Sequence, residues 1–378
     1  MSALEKAESW LLNSGIYILD KNDPNYGAVY SYYDYKTKNY ELVYAEATGY
    51  VISLLKYLYS IKNDDKLIEY ATASGNWLIN LAEKYDVVVM GKRNGNDIKQ
   101  AYAFDNGICC KGLLDLYELT EDRKYLEYAE KIADWILDNA LNEDGSIKPL
   151  LDIDTGKFVQ DESVWYKASG SFHSKISMSL LQLYSINKND RLCNAATKVC
   201  EWAIGQQKPD GGFPANKYNR SVNLHTHCYT IEALFYAYAS QNKQKFLDAA
   251  EKAVDWMIKM QESDGSFWLW HGDGFVKMKA SYAIAQVMRI FLLMHMLKDR
   301  KNLLESAETA SKFLVGMQCS EQDNKIDGGF YEDIRKYGFI MRKSSHITSW
   351  ASMFSIQALH LLDRLEYVDF NTEIKKLF

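Results

Sequence analysis

The chain has 378 residues, 13% of them aromatic, and a formal net charge of −6. That charge is spread without long runs, which excludes the basic footprint of a nucleic-acid binder, and no apolar run reaches the roughly 18 residues of a membrane span. The opening Met1–Trp10 has no charged-then-apolar leader, and Cys109, Cys110, Cys193, Cys200, Cys228 and Cys319 lack zinc-type spacing, so they read as reduced core thiols of a cytoplasmic protein.

In chain order, one two-helix pattern recurs six times, and such internal repeats decide the fold before anything else does. The first unit opens with a helix over residues 1–15 carrying Trp10. Aromatics on either side of Asp34–Asn39 then predict a two-stranded hairpin over Val29–Tyr44, and Glu46-Ala47-Thr48-Gly49-Tyr50 opens a more apolar helix. The second unit has a helix through Trp77, a β-rich crossing at Val87–Met90, and Asp105-Asn106-Gly107 leading into a second apolar helix. The third runs through Trp135, an Asp144-Gly145 turn and a crossing at Trp165 to a helix opening at His173. The fourth runs through Trp202 and Asp210-Gly211-Gly212-Phe213 to His225-Thr226-His227. The fifth passes Trp256, Asp264-Gly265-Ser266-Phe267 and the crossing Trp268–His271. The sixth passes Phe313 and Asp327-Gly328-Gly329-Phe330 to reach His346. Asp-Gly marks a turn because Asp bonds its own backbone and Gly accepts positive φ without steric cost.

The first helix of each unit is amphipathic and belongs outside; the second is apolar nearly all round and belongs inside. Six such pairs predict an all-α fold, an (α/α)6 toroid with short β-hairpins in the loops, as a single domain over residues 1–378. A ring of this kind buries each pair on its neighbours and so escapes the size limit of one core. The inner helices should begin near residues 46, 105, 173, 225, 280 and 346 and run parallel, with their N-termini meeting at one mouth.

The inner-helix starts bring Glu46, Asp105, Asn106, His173, Lys175, His225, His227, Lys279 and His346 to that mouth, and the loops add Trp165, Arg220, Trp268, Trp270, His271 and Arg342. Asp or Thr at a helix start is an ordinary cap worth about 1 kcal/mol, and a lone His there is an ordinary structural group. Caps do not require histidines in four of six repeats, however. Converging helix N-termini favour an anionic ligand, with Lys175, Lys279, Arg220 and Arg342 as reinforcement. The same termini should lower the pKa of Glu46 and Asp105, while the aromatic shell of Asp105 pulls the other way. Asp105, His173 and His227 are the expected catalytic groups, since carboxylates and imidazoles carry protons near neutrality. The others would contact substrate, with Trp165, Trp268 and Trp270 stacking on a flat ligand face. His225 and His227 with Asp105 could form a zinc site, but an i, i+2 spacing splays the two rings apart, so neither metal nor cofactor is expected.

The six-pair pattern resembles the six-hairpin toroid enzymes. Within it, Ala101–Tyr117 (AYAFDNGICCKGLLDLY) looks like the segment of unsaturated glucuronyl hydrolases in which an Asp opens an inner helix. The resemblance implies a general acid and base that adds water across a 4,5-unsaturated uronic acid, a role that falls on Asp105. This chain has Glu46 where that family has its other Asp. N-acylglucosamine 2-epimerases share the toroid and use paired histidines, a role open to His173, His227 or His346. Asn223–Tyr238 and the Gln…Asp-Gly-Gly-Phe turns are similar to the repeats of protein prenyltransferases and squalene cyclases. Both the zinc-binding Asp-x-Cys and the cyclase Asp-x-Asp-Asp are missing, so that likeness implies fold ancestry. The expected function is a glycoside-hydrolase-like enzyme acting on an oligosaccharide or uronic-acid-containing glycan, with a sugar epimerase or a non-catalytic glycan- or isoprenoid-binding toroid as alternatives.

Overall fold

The computed structural model describes residues 1–215, 220–272 and 274–378, so part of the crossing before the fourth inner helix lies outside the described residues. Six helix pairs follow one another: α1 (Ala3–Asn13) and α2 (Ala45–Lys62), α3 (Lys66–Tyr85) and α4 (Ala103–Thr120), α5 (Arg123–Trp135) and α6 (Ile176–Asn187), α7 (Asp190–Gly205) and α8 (Leu224–Gln241), α9 (Gln244–Lys259) and α10 (Ser281–Lys298), α11 (Lys301–Gly316) and α12 (Ser349–Asp363). The second members pack on one another in a closed inner ring, α2–α4–α6–α8–α10–α12 and back to α2. The first members form the outer ring. The polarity of each sequence explains its place: α4 is buried continuously from Ala103 to Leu116, whereas α9 buries one stripe including Phe246, Ala250, Val254 and Met257. This is the (α/α)6 toroid. A short α13 (Phe370–Lys376) follows it and packs on α8 and α10.

The Asp-Gly turns join one outer helix to the next. Gln207 Nε2 donates to the Gly211 carbonyl at 3.0 Å and to Ala249 of the following helix at 2.9 Å. Gln261 repeats this with Gly265 and Ser306, and Gln318 with Gly328 and Ala3, which joins the last repeat to the first. Gly211 has φ +105°, and a Cβ there would lie 2.3 Å from the Lys252 carbonyl oxygen, so only glycine fits. Of the aromatic series, Trp10, Trp77 and Trp256 are buried, while Trp135, Trp202 and Phe313 are half-buried.

Short strands tie neighbouring crossings together over the mouth. The expected hairpin is present as β1 (Tyr30–Asp34) and β2 (Asn39–Tyr44), and a second one, β3 (Gly91–Arg93) and β4 (Asn96–Ile98), turns on Asn94-Gly95. Both turn residues have positive φ (51° and 77°), as a two-residue hairpin turn requires. These four strands join a strand over His346–Thr348, which pairs antiparallel with β1 (Tyr32 opposite Thr348). The inner helices begin within a few residues of the expected positions. The sixth starts at Ser349 rather than His346, because residues 346–348 are used for pairing with β1.

Candidate active site

Two glycines set the site. On α2, Gly49 lies against α4, where an added Cβ would meet the Cys109 backbone at 3.1 Å; on α4, a Cβ at Gly112 would lie 2.7 Å from the Gly49 carbonyl oxygen. The two inner helices therefore touch backbone to backbone. That contact brings Glu46 and Asp105, each in the first turn of its helix, close enough for the Glu46 charge to act on Asp105. Neither acid is a cap, since the cap positions are Tyr44 and Tyr102 and neither makes a side-chain cap bond.

Both carboxyls line a cavity of about 600 Å³. Asp105 is buried, and its Oδ2 has no hydrogen-bond partner. The Tyr44 hydroxyl donates to Glu46. Burial raises the Glu46 carboxyl to about 7, with the Tyr44 and Tyr50 hydroxyls opposing the shift. Burial and then the Glu46 charge raise Asp105 well above the ordinary carboxylate range. The lowering expected from the helix termini is thus reversed. Desolvation outweighs the partial charges of the termini when the carboxyl sits among rings.

Aromatic side chains are the largest group in the wall: Tyr44, Tyr102, Phe104, Trp165, Tyr166, Phe172 and Tyr229. The His173 ring lies 4.1 Å from that of Phe172 and its Nδ1 faces the Gly170 backbone; burial holds it at about 4. His225 is bonded to Gln286, lies 4.3 Å from the Tyr229 ring, and is held at about 3 by burial. Both imidazoles are therefore neutral at physiological pH. A smaller lobe of about 190 Å³ shares Tyr44, Glu46, Trp165, His225 and Tyr229 with the main cavity and adds Tyr50, Tyr282 and Trp350.

Glu46, Asp105, Trp165, His173 and His225 thus come together as expected. Other residues expected at the mouth lie elsewhere. His227 is sealed in the wall, with Nδ1 accepting from the Phe213 amide at 3.0 Å and Nε2 facing the Ala253 carbonyl at 3.3 Å. Two residues along a helix is more than half a turn, so His225 and His227 face opposite ways. The Asn106 side chain bonds both backbone groups of Val88 and so anchors the crossing. Lys175 is buried behind the cavity against Glu232, which also holds Arg289 at 2.6 Å. Lys279 pairs with Asp264 at 2.9 Å beneath Trp268. Trp270 stacks on Phe275, and His271 lies edge-on to Trp256. His346 is bound to Glu332 and stacked on Tyr32, beside a separate surface groove that also holds Arg342. Arg220 is exposed and outside the cavity lining.

The cavity's cations are instead Arg93 and Lys167. Arg93 stands beside the Asn94-Gly95 turn, a sequence signal for a hairpin; Lys167 follows Trp165 in a single helical turn. Tyr229 could have been read from its place four residues after His225, on the same helix face.

The model of the prenyltransferase alpha-alpha toroid domain matches residues 162–336, and that of Glycosyl Hydrolase Family 88 matches residues 84–225. No curated protein matches the chain. Among solved structures, a cellobiose 2-epimerase from Bacillus thermoamylovorans superposes with a TM-score of 0.76 at 14% identity, over 97% of this chain and 99% of the other. An unsaturated glucuronyl hydrolase specific for heparin gives 0.72 at 14% identity, over 97% and 98%. A sugar epimerase from a ruminal bacterium gives 0.77 at 14% identity, over 98% and 100%. The likenesses are to (α/α)6 toroid enzymes, and at this identity the superpositions establish the fold.

Proposed function

We propose that the chain is a carbohydrate-active enzyme of glycoside-hydrolase type, acting on an oligosaccharide or uronic-acid-containing glycan by acid–base chemistry in the Glu46–Asp105 cavity. The observation that carries this reading is the pair of buried carboxyls, both raised and one raised further by the charge of the other, at the base of an aromatic pocket. Two titrating groups whose environments push them apart suit separate acid and base roles. Asp105, raised by burial and then by the Glu46 charge, is the group suited to deliver a proton; Glu46 ionises near 7 and can take one from water. Adding water across the double bond of an unsaturated uronic acid needs both transfers, one to carbon and one from water. The aromatic walls suit the apolar faces of sugar rings. The match to the Glycosyl Hydrolase Family 88 model covers Asp105 and supports the same reading. Six free thiols support a cytoplasmic setting.

A sugar epimerase is the runner-up, favoured by His173 and His225 facing one cavity and by the epimerase superpositions. Epimerisation needs two proton carriers, and imidazoles held at about 4 and about 3 accept protons less readily at pH 7 than Glu46 does. One experiment separates the two. The protein is incubated with an unsaturated glucuronyl disaccharide, following loss of the double-bond absorbance, and with cellobiose in heavy water, following deuterium uptake at carbon by NMR. Absorbance loss without deuterium uptake is the expected result. Asp105→Asn should cut that turnover by roughly 10²–10⁴-fold with an unchanged melting temperature; full turnover in the variant ends the assignment.

A further inference from the structure

The cavity is divided by charge. Its main lobe holds Asp105 together with Arg93 and Lys167, whereas the smaller lobe adds only Ala47 and the rings of Tyr50, Tyr282 and Trp350. Glu46 lines both. The two cations line the cavity itself, and they differ from the buried or paired cations around it. Lys175, Lys279, Arg289 and Arg335 are each taken up by a carboxylate. Among the described residues neither Arg93 nor Lys167 forms an ion pair or a side-chain hydrogen bond, although the Lys167 charge reaches Asp161 and helps to lower that carboxyl. Arg93 is exposed and Lys167 half-exposed, while Asp105 is buried, so positive charge sits at the rim and the carboxyl pair at the base.

Resting on the glycan reading of this same cavity, we propose that Arg93 and Lys167 are specificity-determining residues. They hold the carboxylate or sulfate of an acidic sugar in the main lobe, with the neighbouring neutral sugar stacked in the aromatic lobe on Trp350 and Tyr282. Two free cations on separate crossings reach one anionic group from two sides, which a neutral sugar cannot exploit. The ring-lined lobe offers a neutral sugar its stacking surface and gives a charged one no counter-ion. The ring acted on is the acidic one, because Asp105 lines only the main lobe.

The test is equilibrium binding by calorimetry to a matched pair, cellobiose and its glucuronyl-β-1,4-glucose counterpart, using the full chain. The acidic disaccharide should bind about 10-fold more tightly. Arg93→Gln and Lys167→Gln should each reduce that acidic-to-neutral ratio by roughly 3-fold or more, and the double variant should abolish it. Trp350→Ala should weaken both disaccharides while leaving the ratio in place. Melting curves confirm that each variant is folded. Equal wild-type affinities, an unchanged ratio in the double variant, or no binding of either sugar overturns the inference. If the ratio collapses as expected but Asp105→Asn keeps full turnover, the charge division stands and the acid assignment fails. If the affinities are equal but Asp105→Asn is inactive, the reverse holds.

Discussion

Glu46 and Asp105 share one desolvated pocket and cannot both ionise cheaply, which makes their titration the most direct check on the site. Glu46 is raised from an ordinary 4.5 to about 7. Between those values the folded chain keeps a proton that the unfolded chain has lost, so this group makes stability fall as pH rises from about 4.5 to about 7 and then level off. Glu46→Gln should remove that slope, and the variant should gain stability over wild type at pH 8 compared with pH 4, read from urea unfolding at each pH. If Glu46 is the base, turnover should rise through pH 7, where Glu46 ionises, and the ionisation of Asp105 should set the falling limb. The rising limb should vanish in Glu46→Gln together with most of the activity. At this scale the sequence showed the carboxyls plainly, as acids in the first turns of inner helices, but it could not sort the histidines that reach the cavity from those that do not. His173, His225, His227 and His346 look alike as helix starts. What separates them is which side of the backbone each ring leaves from and whether backbone groups already occupy its nitrogens. His227 has both nitrogens occupied, and that contact with Phe213 and Ala253 is tertiary.

Among the elements, the α2–α4 contact does the most for the site, because the distance between its two backbones fixes the distance between the two acids. Gly112→Ala would place a methyl group 2.7 Å from the Gly49 carbonyl oxygen. The helices must separate, at a cost of about 1–3 kcal/mol for overpacking, measurable by urea unfolding. The separation should also weaken the hold of the Glu46 charge on Asp105, narrowing the gap between the two limbs of the pH profile. Gly95→Ala is the control: unlike helical Gly112, Gly95 is left-handed (φ +77°), but open space lies where the methyl would go, so its cost is conformational only, about 1 kcal/mol. The helices were legible because twelve segments of consistent polarity and four Asp-Gly turns agree with one another. The loop architecture was legible only in part. The β1–β2 hairpin announced itself through its clustered tyrosines. The β3–β4 hairpin has three-residue strands without an apolar alternation, so Arg93 went unnoticed beside a turn that its Asn94-Gly95 pair encodes.

For the whole molecule, closure of the ring is the decisive feature. The first and last repeats are joined by Trp10 Nε1 bonding the Lys325 carbonyl at 2.8 Å, by Gln318 on Ala3, and by Ser349 reaching the Ser31 carbonyl across 318 residues of chain. A chain lacking residues 346–378 would lose α12, its share of the wall behind Glu46, and the strand that covers the outer edge of β1. The expected outcome is an inactive, self-associating species rather than a smaller ring, since an unpaired strand edge invites pairing with other copies; size-exclusion chromatography and the disaccharide assay check both points, and a monomeric, active truncation would refute it. Synthesis on the ribosome meets the same difficulty in time. β1 and Glu46 emerge early, and the strand and helix that complete them emerge almost last, so the nascent chain carries an open edge through most of its translation. Catalytic competence in this protein therefore arrives with the final repeat, and a stalled or clipped chain has no fractional activity to offer.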